Sequence, residues 1–557
     1  MKRILALALA LCMLLSSAAL AEDISAYVTE SGLPIVTDAS KLEQMDILWV
    51  AEPMCVLQPE ELPWIRMNQE QTGMVFNWQK VPLEGATERM ALILTSDELP
   101  DIIWNGVTKA TLVQYMDQDI FLPCEDLIEN YMPNLKKILD EHPQYKGLLT
   151  APDGHIYGFP YIEEMGGLVL TPGPMVIYKP WLDQLGLDMP TTIDEFYEVL
   201  VAFKNAGDLN GNGIDDEIPY ALSLNSKETF GSCNTFHMLT GCFGQADSAR
   251  GAQDDHLSPI NGVVTYTAID EAYRETCKFF HKLWSEGLLD PDSFSPETSA
   301  GNPLYYDKLK GSEPIIGVCS MWTRSDVISD ETLREGYVPL PRLEGPNGKM
   351  GFVLNFSEMQ NICNTLITVD CPYPELVARW IDNNYEQFNS IQLNYSPIGD
   401  DADDDHRYVW GDEEHSFLVQ NDTFPAAYSV WPEWRCNLTP LAGSLAILSE
   451  VYDMPGGLGG FTPAVYTDDQ NVNGKSEWLE EMEAMPQAYL TQEEQNRISQ
   501  LQPQLENIVN QYTMNWILDG GADEQWDEYV ASLKNAGLDE FVSIYQGVYD
   551  RYAASIQ

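Results

Sequence analysis

The chain has 557 residues, of which 44% are hydrophobic and 21% are charged, so it is long and apolar enough to bury the cores of roughly two to four domains. Its 86 Asp and Glu against 30 Lys and Arg give a formal net charge of −56, which argues against nucleic acid and anionic membrane surfaces as partners. Its ten cysteines are scattered without a Cys-x-x-Cys pair, which excludes a small disulfide scaffold and disfavours a zinc site.

The first 21 residues have the pattern of a signal peptide. Lys2-Arg3 form a basic start, Ile4 to Leu15 form an apolar run, and Ala19-Leu20-Ala21 gives a small-x-small cleavage site. The apolar run is shorter than the roughly 20 residues that a membrane-spanning helix needs. We therefore predict removal of residues 1–21 and an exported protein.

Cys12 is the one cysteine inside this signal segment, and its neighbours bear on lipid attachment. Leu11 precedes it at a position where a lipid-attachment motif needs a small residue, and the apolar run continues past it. We therefore expect no lipid anchor at Cys12. The expected location is extracellular, on the cell surface or in the periplasm.

Strands alternate with helices in the first part of the chain, after a polar leader at 22–41. The predicted order is a strand at 46–50, a helix at 63–72, a strand at 74–81, a helix at 87–96 and a strand at 101–104. This alternation is typical of an α/β domain with a largely parallel sheet.

The second part repeats this alternation and adds long late helices. A strand is predicted at 175–178 and helices at 180–185, 192–205, 270–286, 372–389, 491–515 and 526–536. Thr192 with Glu195, and Thr491 with Glu494, have the spacing of capping boxes at two helix starts. Two α/β lobes leave a cleft between them, where small ligands usually bind.

One ten-residue run, Asp208 to Glu217, has the pattern of a cation-binding loop. Side-chain oxygens fall at positions 208, 210, 212 and 216, around glycines at 211 and 213. Ca²⁺ takes about six to eight oxygen ligands, and alternate oxygens around a tight turn can supply them. The run departs from a standard EF-hand because Pro219 stands where that motif has its bidentate Glu. The alternative is a polar Asn-Gly turn that holds no metal.

Several strings in one order carry a family resemblance. They are "TGMVFNWQKVP" at 72–82, "LTSDELPDIIW" at 94–104, "IYKPWLDQLGLDMPTTIDEFYEVLVAFKNAGDLNGNGIDDEIPY" at 177–220 and "ILDGGADEQWDEYVASLKNAGL" at 517–538. With them the chain resembles the extracellular solute-binding proteins of ABC importers, in the carbohydrate-binding group that includes maltose- and alginate-oligosaccharide-binding proteins. The resemblance covers nearly the whole chain after the signal peptide.

The resemblance implies a type II periplasmic-binding-protein fold, an α/β fold of two lobes with a hinge and an interlobe cleft. The N-terminal lobe would comprise residues 42–165 and about 336–400, and the C-terminal lobe residues 166–335 and about 401–557. The implied partners are an oligosaccharide or other small solute and the permease of an ABC transporter. We expect a monomer that closes around its ligand.

The resemblance also implies the residues of two sites. Ca²⁺, in a structural role, would be held by Asp208, Asn210, Asn212, Asp216, Glu217 and the backbone carbonyl of Ile214. Sugar binding needs flat aromatic faces and polar groups for hydroxyls. Its candidates are Trp322, which follows a predicted strand, Arg324, the loop residues Trp431 and Trp434, and Trp104 at a strand end. For each tryptophan the alternative is packing in the core.

Two alternative functions stay open at this point. The first is a secreted carbohydrate-active enzyme, in which two of the many carboxylates would act as a catalytic pair. No Gly-x-Ser-x-Gly or His-Glu-x-x-His motif supports an enzyme, so we expect none. The second is a binding protein that signals to a membrane sensor. The loop "NYSPIG" at 394–399 stands where relatives show Tyr-Gly-x-Glu-Gly, so the glutamate contact of that loop is not expected here.

Overall fold

The structure is a computed structural model that describes most of the chain. It covers residues 24–556 except 52–54, 97, 163–174, 225–234, 249–255, 296–306, 321–326, 352–358, 402–405, 412, 414–417 and 421–483. The strands are β1 Met45–Ala51, β2 Phe76–Pro82, β3 Ile102–Trp104, β4 Gly158–Ile162, β5 Met175–Tyr178, β6 Ile218–Tyr220, β7 Leu257–Ile260, β8 Val263–Tyr266, β9 Ile316–Ser320, β10 Tyr337–Pro339, β11 Met359–Ile367, β12 Ile398–Gly399, β13 Tyr408–Trp410 and β14 Leu418–Gln420. The helices are α1 Pro63–Thr72, α2 Ala86–Ile93, α3 Lys109–Tyr115, α4 Glu125–Tyr131, α5 Pro133–Glu141, α6 Pro143–Leu149, α7 Lys179–Leu185, α8 Ile193–Asn205, α9 Phe236–Thr240, α10 Glu271–Ser285, α11 Glu331–Arg334, α12 Pro374–Asn383, α13 Gln387–Tyr395, α14 Gln492–Asp519, α15 Ala522–Asn535 and α16 Leu538–Ser555.

The first sheet has the strand order β2-β1-β3-β11-β4. Strand β1 pairs in parallel with β2 on one side and with β3 on the other. Strand β11 returns from much later in the chain and pairs antiparallel with both β3 and β4. The expectation of a largely parallel sheet therefore holds for the three strands of the first repeat, whereas the sheet as a whole is mixed.

The second sheet has the order β10-β5-β9-β6. Strands β6 and β9 are parallel, whereas β5 pairs antiparallel with both β9 and β10. Two further small sheets are formed by β7 with β8 and by β12, β13 and β14.

Buried side chains form two hydrophobic cores, one for each large sheet. The first core draws on residues 35–162 and 359–393 together with Tyr489 and Tyr552, and the second on residues 175–350 and 485–548. Tyr337 and Met350 belong to the second core, and Met359 begins the first-sheet strand β11. We therefore propose that the chain returns to the first lobe between Met350 and Met359, later than the predicted position of about 336.

The strongest helix predictions are confirmed. Helix α1 has the predicted bounds and ends at Gly73 in the left-handed conformation. Both capping boxes are present, at Thr192 with Glu195 and at Thr491 with Glu494. The single helix predicted at 372–389 is wrong. The structure has two helices there, because Glu386 is extended and caps a new helix by accepting the N–H of Asn389.

Candidate functional site

The topology of the first sheet indicates where a ligand would bind. From β1 the chain passes to β2 on one side and then to β3 on the other side of β1. In open α/β sheets such a switch point opens a crevice at the carboxyl ends of the strands. In this chain the rule places the crevice at the ends of β1 and β3, next to Ala51 and Asn105.

Asn105 joins three strands at this switch point. Its side-chain amide donates to the backbone carbonyl of Val50 at 3.1 Å, and its backbone N–H donates to the carbonyl of Asn364 at 2.7 Å. Its φ of 52° lies in the left-handed region, which Asn tolerates better than most residues. The arrangement ties the ends of β1 and β3 to β11. The Asn-Gly pair directly after a buried strand is the sequence signal that could have found this residue.

An irregularity in β11 lies beside Asn105. Between the pairs Asn361 with Tyr161 and Thr365 with Phe159, β11 advances four residues while β4 advances two. Bulges of this kind are frequent next to functional sites because they redirect side chains. Asn364 lies inside the irregular stretch, and its amide nitrogen is buried without a hydrogen-bond partner among the described atoms. Sequence reasoning missed this residue because nothing local marks a bulge in a strand of mixed polar and apolar residues.

The matching edge of the second sheet lies at the carboxyl ends of β6 and β9. Met175, the first residue of β5, is paired with Ser320, the last residue of β9. The N–H of Leu340 donates to the carbonyl of Met175 at 2.8 Å, so the chain also leaves this sheet at the same edge. Ile162 pairs with Met359 at the carboxyl edge of the first sheet. The strand ends before and after residues 163–174, and before and after residues 341–358, therefore lie at the carboxyl edges of the two sheets. A third crossing between the two cores falls between Leu393 and Met485.

Of the five predicted sugar-binding residues, Trp104 alone lies within the described part of the chain. Trp322, Arg324, Trp431 and Trp434 lie outside the described residues, so their role stays a prediction. Trp104 is 1% exposed. Its ring packs 5.5 Å from the rings of Trp64 and Trp78 and 6.2 Å from that of Trp49. A side chain enclosed in this way has no free face for a sugar, which favours the core alternative and corrects the expectation that Trp104 lies at the cleft rim.

The predicted calcium loop turns back on its own backbone. The two carboxylate oxygens of Asp208 accept the N–H groups of Gly211 at 2.7 Å and Gly213 at 2.8 Å. Asn210 accepts the N–H of Asn212 at 2.9 Å, and Asn212 accepts that of Ile214 at 2.7 Å. Alternate side-chain oxygens therefore point into the loop, as cation ligation requires.

Glu217 closes the loop from its far end. One carboxylate oxygen, Oε1, accepts the N–H groups of Leu209 at 2.5 Å and Asn210 at 2.9 Å. The other oxygen, Oε2, is buried and has no hydrogen-bond partner among the described atoms. A buried carboxylate oxygen without a partner is costly in an apolar environment. The loop residues therefore fit a cation at this position.

Three of the six predicted ligands are not acidic, and this affects how a cation would be held. In the described part of the chain, no group of three or more His, Cys, Asp or Glu side chains is placed to hold a metal ion. A cation at this loop would therefore depend on the amide oxygens of Asn210 and Asn212 and on a backbone carbonyl, which are oxygen ligands that Ca²⁺ accepts. Asp216 lies on the same side, 3.4 Å from the Asn212 amide nitrogen.

Neither the described cysteines nor the described helices indicate a further functional site. The seven cysteines in the described residues are buried free thiols. Burial raises the pKa of Cys363 to about 11 and that of Cys371 to about 12, so both stay protonated at neutral pH. None of the helices in the described ranges is long and apolar enough to span a membrane.

Comparison with known proteins gives one relative that matches along nearly the full length. The chain is 33% identical over 531 residues to the fructooligosaccharide ABC transporter substrate-binding protein FusA of Streptococcus pneumoniae. This match covers 92% of this chain and 91% of FusA. Two solved structures are similar to this chain, that of FusA with kestose and that of its EF-hand mutant with fructo-nystose. Each has a TM-score of 0.71 and 31% sequence identity, and each comparison covers 92% of this chain and 100% of the solved chain. No family model matches the chain. The predicted fold class, two α/β lobes of the periplasmic-binding type, is confirmed.

Proposed function

The chain belongs to the carbohydrate-type substrate-binding proteins of ABC transporters, and from this premise we propose that its ligand is a fructose-containing oligosaccharide. As a member of this family, the protein captures a solute and delivers it to the permease of an importer. The observation that carries the narrower ligand class is the 33% identity to FusA over 531 residues. The match to FusA extends over 92% of this chain and so includes both lobes. A ligand in the cleft would be contacted by both lobes.

The two carboxyl edges give this proposal its mechanism. The chain crosses between the two cores at least three times, after Ile162, after Leu340 and between Leu393 and Met485. Rotation of the lobes about these crossings would open or close the space between the two edges. Only the closed form offers a ligand the contacts of both lobes, so the ligand stabilises that form and presents it to the permease. The Asn105 junction would keep the floor of the first edge rigid during closure.

We propose Asn105, which is half-buried, as a polar group near the bound sugar in the first lobe, with the buried Asn364 behind it as a structural support. Amides both donate and accept hydrogen bonds, which matches the donor and acceptor character of sugar hydroxyls. Trp322, Arg324, Trp431 and Trp434 remain proposed contacts, with the tryptophans stacking on the apolar faces of sugar rings.

Calcium is part of the same proposal, as a structural ion in the second lobe. Asp208, Asn210, Asn212, Asp216, Glu217 and the carbonyl of Ile214 would hold it. The support is the alternation of oxygens, the buried Oε2 of Glu217, and the existence of an EF-hand mutant of FusA. The ion would neutralise carboxylates that crowd one turn and would fix the loop that connects α8 to β6.

We further propose that the protein acts outside the cytoplasmic membrane and binds its ligand without converting it. The signal-peptide pattern of residues 1–21 supports export. The carbohydrate-active enzyme remains the alternative that an experiment has to exclude.

A ligand panel tests the proposal. Kestose and nystose would be titrated into the purified protein without its signal peptide, with maltotriose and an alginate oligosaccharide as controls, by calorimetry and tryptophan fluorescence. We expect saturable binding of kestose and nystose, no heat from the controls and no new reducing ends after long incubation. Binding of the controls alone would refute the ligand class, and new reducing ends would refute the function as a binding protein.

A further inference from the structure

Three chain segments end side by side at the carboxyl edge of the second sheet. Strand β9 ends at Ser320 and the parallel strand β6 ends at Tyr220. The segment after α10 continues the sheet, because Leu289 forms a parallel bridge with Tyr220. Asp290 follows at once, and its N–H donates to the carbonyl of Tyr220 at 2.9 Å. The side chain of Asp290 therefore starts from the edge that faces the proposed ligand site.

Asp290 and Asp292 hold the ammonium group of Lys308 at this edge. The Lys308 nitrogen lies 2.6 Å from a carboxylate oxygen of Asp290 and 2.6 Å from one of Asp292. The Lys308 side chain is 24% exposed, whereas that of Asp290 is 1% exposed. Burial alone would lower the pKa of Lys308, but its hydrogen bonds to the two carboxylates outweigh burial and raise it. The lysine is therefore charged at neutral pH.

An ammonium group has three N–H donors, and the two carboxylates account for two of them. The third donor remains for a further acceptor, and the Lys308 side chain is 24% exposed. This geometry fixes the direction of that donor, because two charge-assisted bonds at 2.6 Å restrict rotation of the group. A flexible surface lysine would lose much more side-chain entropy on binding the same acceptor.

The turn that carries Asp290 has further polar capacity that the described residues do not use. The second carboxylate oxygen of Asp290 and the hydroxyl of Ser293 are both buried and have no hydrogen-bond partner among the described atoms. Ser293 belongs to the same turn, since its N–H donates to the carbonyl of Asp290 at 3.0 Å. Buried polar atoms in this state call for a polar group or a bound water close by.

We propose that Lys308 is a ligand-binding residue of the second lobe, which donates its third N–H to a hydroxyl of the bound oligosaccharide. Asp290 and Asp292 are positioning residues that aim the ammonium group, and Ser293 completes the turn. The inference rests on the proposed function and assigns a specific contact to it. Its role in specificity is to require a hydroxyl acceptor at one place on the ligand, because an analogue without that hydroxyl would leave a charged donor unpaired.

Calorimetry with kestose tests the inference on the full-length mature protein. Lys308→Gln is expected to raise the Kd at least tenfold, and Asp292→Asn about threefold because it frees the ammonium group to rotate. Lys310→Gln is the matched control, since Lys310 is exposed and lies two residues along the same helical turn. It is expected to leave the Kd within twofold.

The ligand-free melting temperature separates binding from structure. A Lys308→Gln protein that melts several degrees lower but binds kestose as the wild type does would overturn the inference and leave the proposed function intact. If that variant does not fold, Lys308→Arg and Asp292→Asn decide instead, and an unchanged Kd in both would overturn it. Absence of kestose binding by the wild type would overturn both the ligand class and this inference.

Discussion

Asn105 donates its side-chain N–H to the backbone carbonyl of Val50 at 3.1 Å, and so closes the gap between the carboxyl ends of two parallel strands. The backbone N–H of the same residue donates to the carbonyl of Asn364 in the antiparallel neighbour β11. One residue in the left-handed conformation thus ties the ends of β1 and β3 to an interior position of β11, at the floor of the proposed ligand site.

Substitution of Asn105 is expected to weaken both stability and binding. Asn105→Ala removes the hydrogen bond to Val50 and places a less tolerant residue at a φ of 52°, at a cost of about 1–3 kcal/mol in all. Asn105→Gly removes the same bond but tolerates the backbone angle, so we expect it to melt at a higher temperature than Asn105→Ala. Both should weaken kestose binding in calorimetry. Equal affinity of all three proteins would show that the junction does not shape the site.

The parts of the fold that could be predicted from sequence are those whose signal lies in neighbouring residues. The helix Ile193–Asn205 could be predicted because its cap, Thr192, and the reciprocal Glu195 lie three residues apart. The return of β11 into the first sheet could not be predicted by pattern, because the sequence of a strand does not encode which distant strand it joins. The break between α12 and α13 was missed although Asn383 and Asn384 mark it, because Asn favours caps and turns over helix interiors.

The difference between local and long-range signals also explains which site residues could be predicted from sequence. The oxygen pattern of the calcium loop is contained in ten consecutive residues, so it was visible in sequence. The role of Trp104 depends on which face of the sheet is covered. Its ring lies on the face that Trp49 shares, beneath Trp64 of α1 and Trp380 of α12. The strand end alone could not show this, and it could not show that the adjacent Asn105 is the residue at the edge.

Asp382 gives the first lobe a pH-dependent stability. Its carboxylate accepts the backbone N–H groups of Asn134 at 3.2 Å and Leu135 at 2.9 Å, and the Asn134 side chain at 3.0 Å. Burial raises the pKa of Asp382 to about 6, although these hydrogen bonds oppose the rise. In the unfolded chain its pKa is about 4. The folded state therefore holds more protons between these values, and this carboxyl group makes stability fall as pH rises from about 4 to about 6.

The variant Asp382→Asn removes that titration. We expect the melting temperature of the variant minus that of the wild type to rise between pH 4.5 and pH 6.5, because only the wild type loses stability through ionisation of Asp382 in this range. Asp140→Asn is the matched control on α5, since the Asp140 side chain is 65% exposed and pairs only at the surface with Lys136. Parallel pH profiles for wild type and Asp382→Asn, measured by differential scanning fluorimetry, would contradict the assignment.

A buried Asp with two histidines stabilises the second lobe. Asp247 lies 2.6 Å from Nδ1 of His237 and 2.9 Å from Nδ1 of His256, and it accepts the hydroxyl of Thr267 at 2.5 Å. Burial alone would raise the pKa of Asp247, but the attraction of the two imidazoles outweighs it and holds the pKa well below its ordinary value. The stabilisation is therefore present above about pH 4, the unfolded value, and is lost as the pH falls below it.

The variant Asp247→Asn is expected to lower the free energy of unfolding by about 3–5 kcal/mol at pH 7, because both imidazoles lose a charged acceptor in a buried place. Thr267→Val is the comparison, since it removes one neutral donor and is expected to cost about 1 kcal/mol. Chemical denaturation followed by tryptophan fluorescence measures both. A cost for Asp247→Asn no larger than that of Thr267→Val would show that the charge of Asp247 is not what holds the cluster.

Calcium removal is the direct test of the loop from Asp208 to Glu217. We expect a chelator to lower the melting temperature of the wild type by several degrees and added Ca²⁺ to restore it, because an ion that binds only the folded state stabilises it by mass action. Mg²⁺ should restore it less well, since it demands a small octahedral site.

The variant Glu217→Gln separates the effect of the ion from that of the loop's own hydrogen bonds. The glutamine Oε1 can still accept the N–H groups of Leu209 and Asn210, while an amide replaces the buried Oε2. This variant should therefore fold but lose its response to Ca²⁺. Asp215→Asn is the control, because Asp215 is exposed and outside the alternating ligand positions; it should respond as the wild type does. If chelator leaves the wild-type melting curve unchanged, the loop is a polar turn whose backbone hydrogen bonds suffice without an ion.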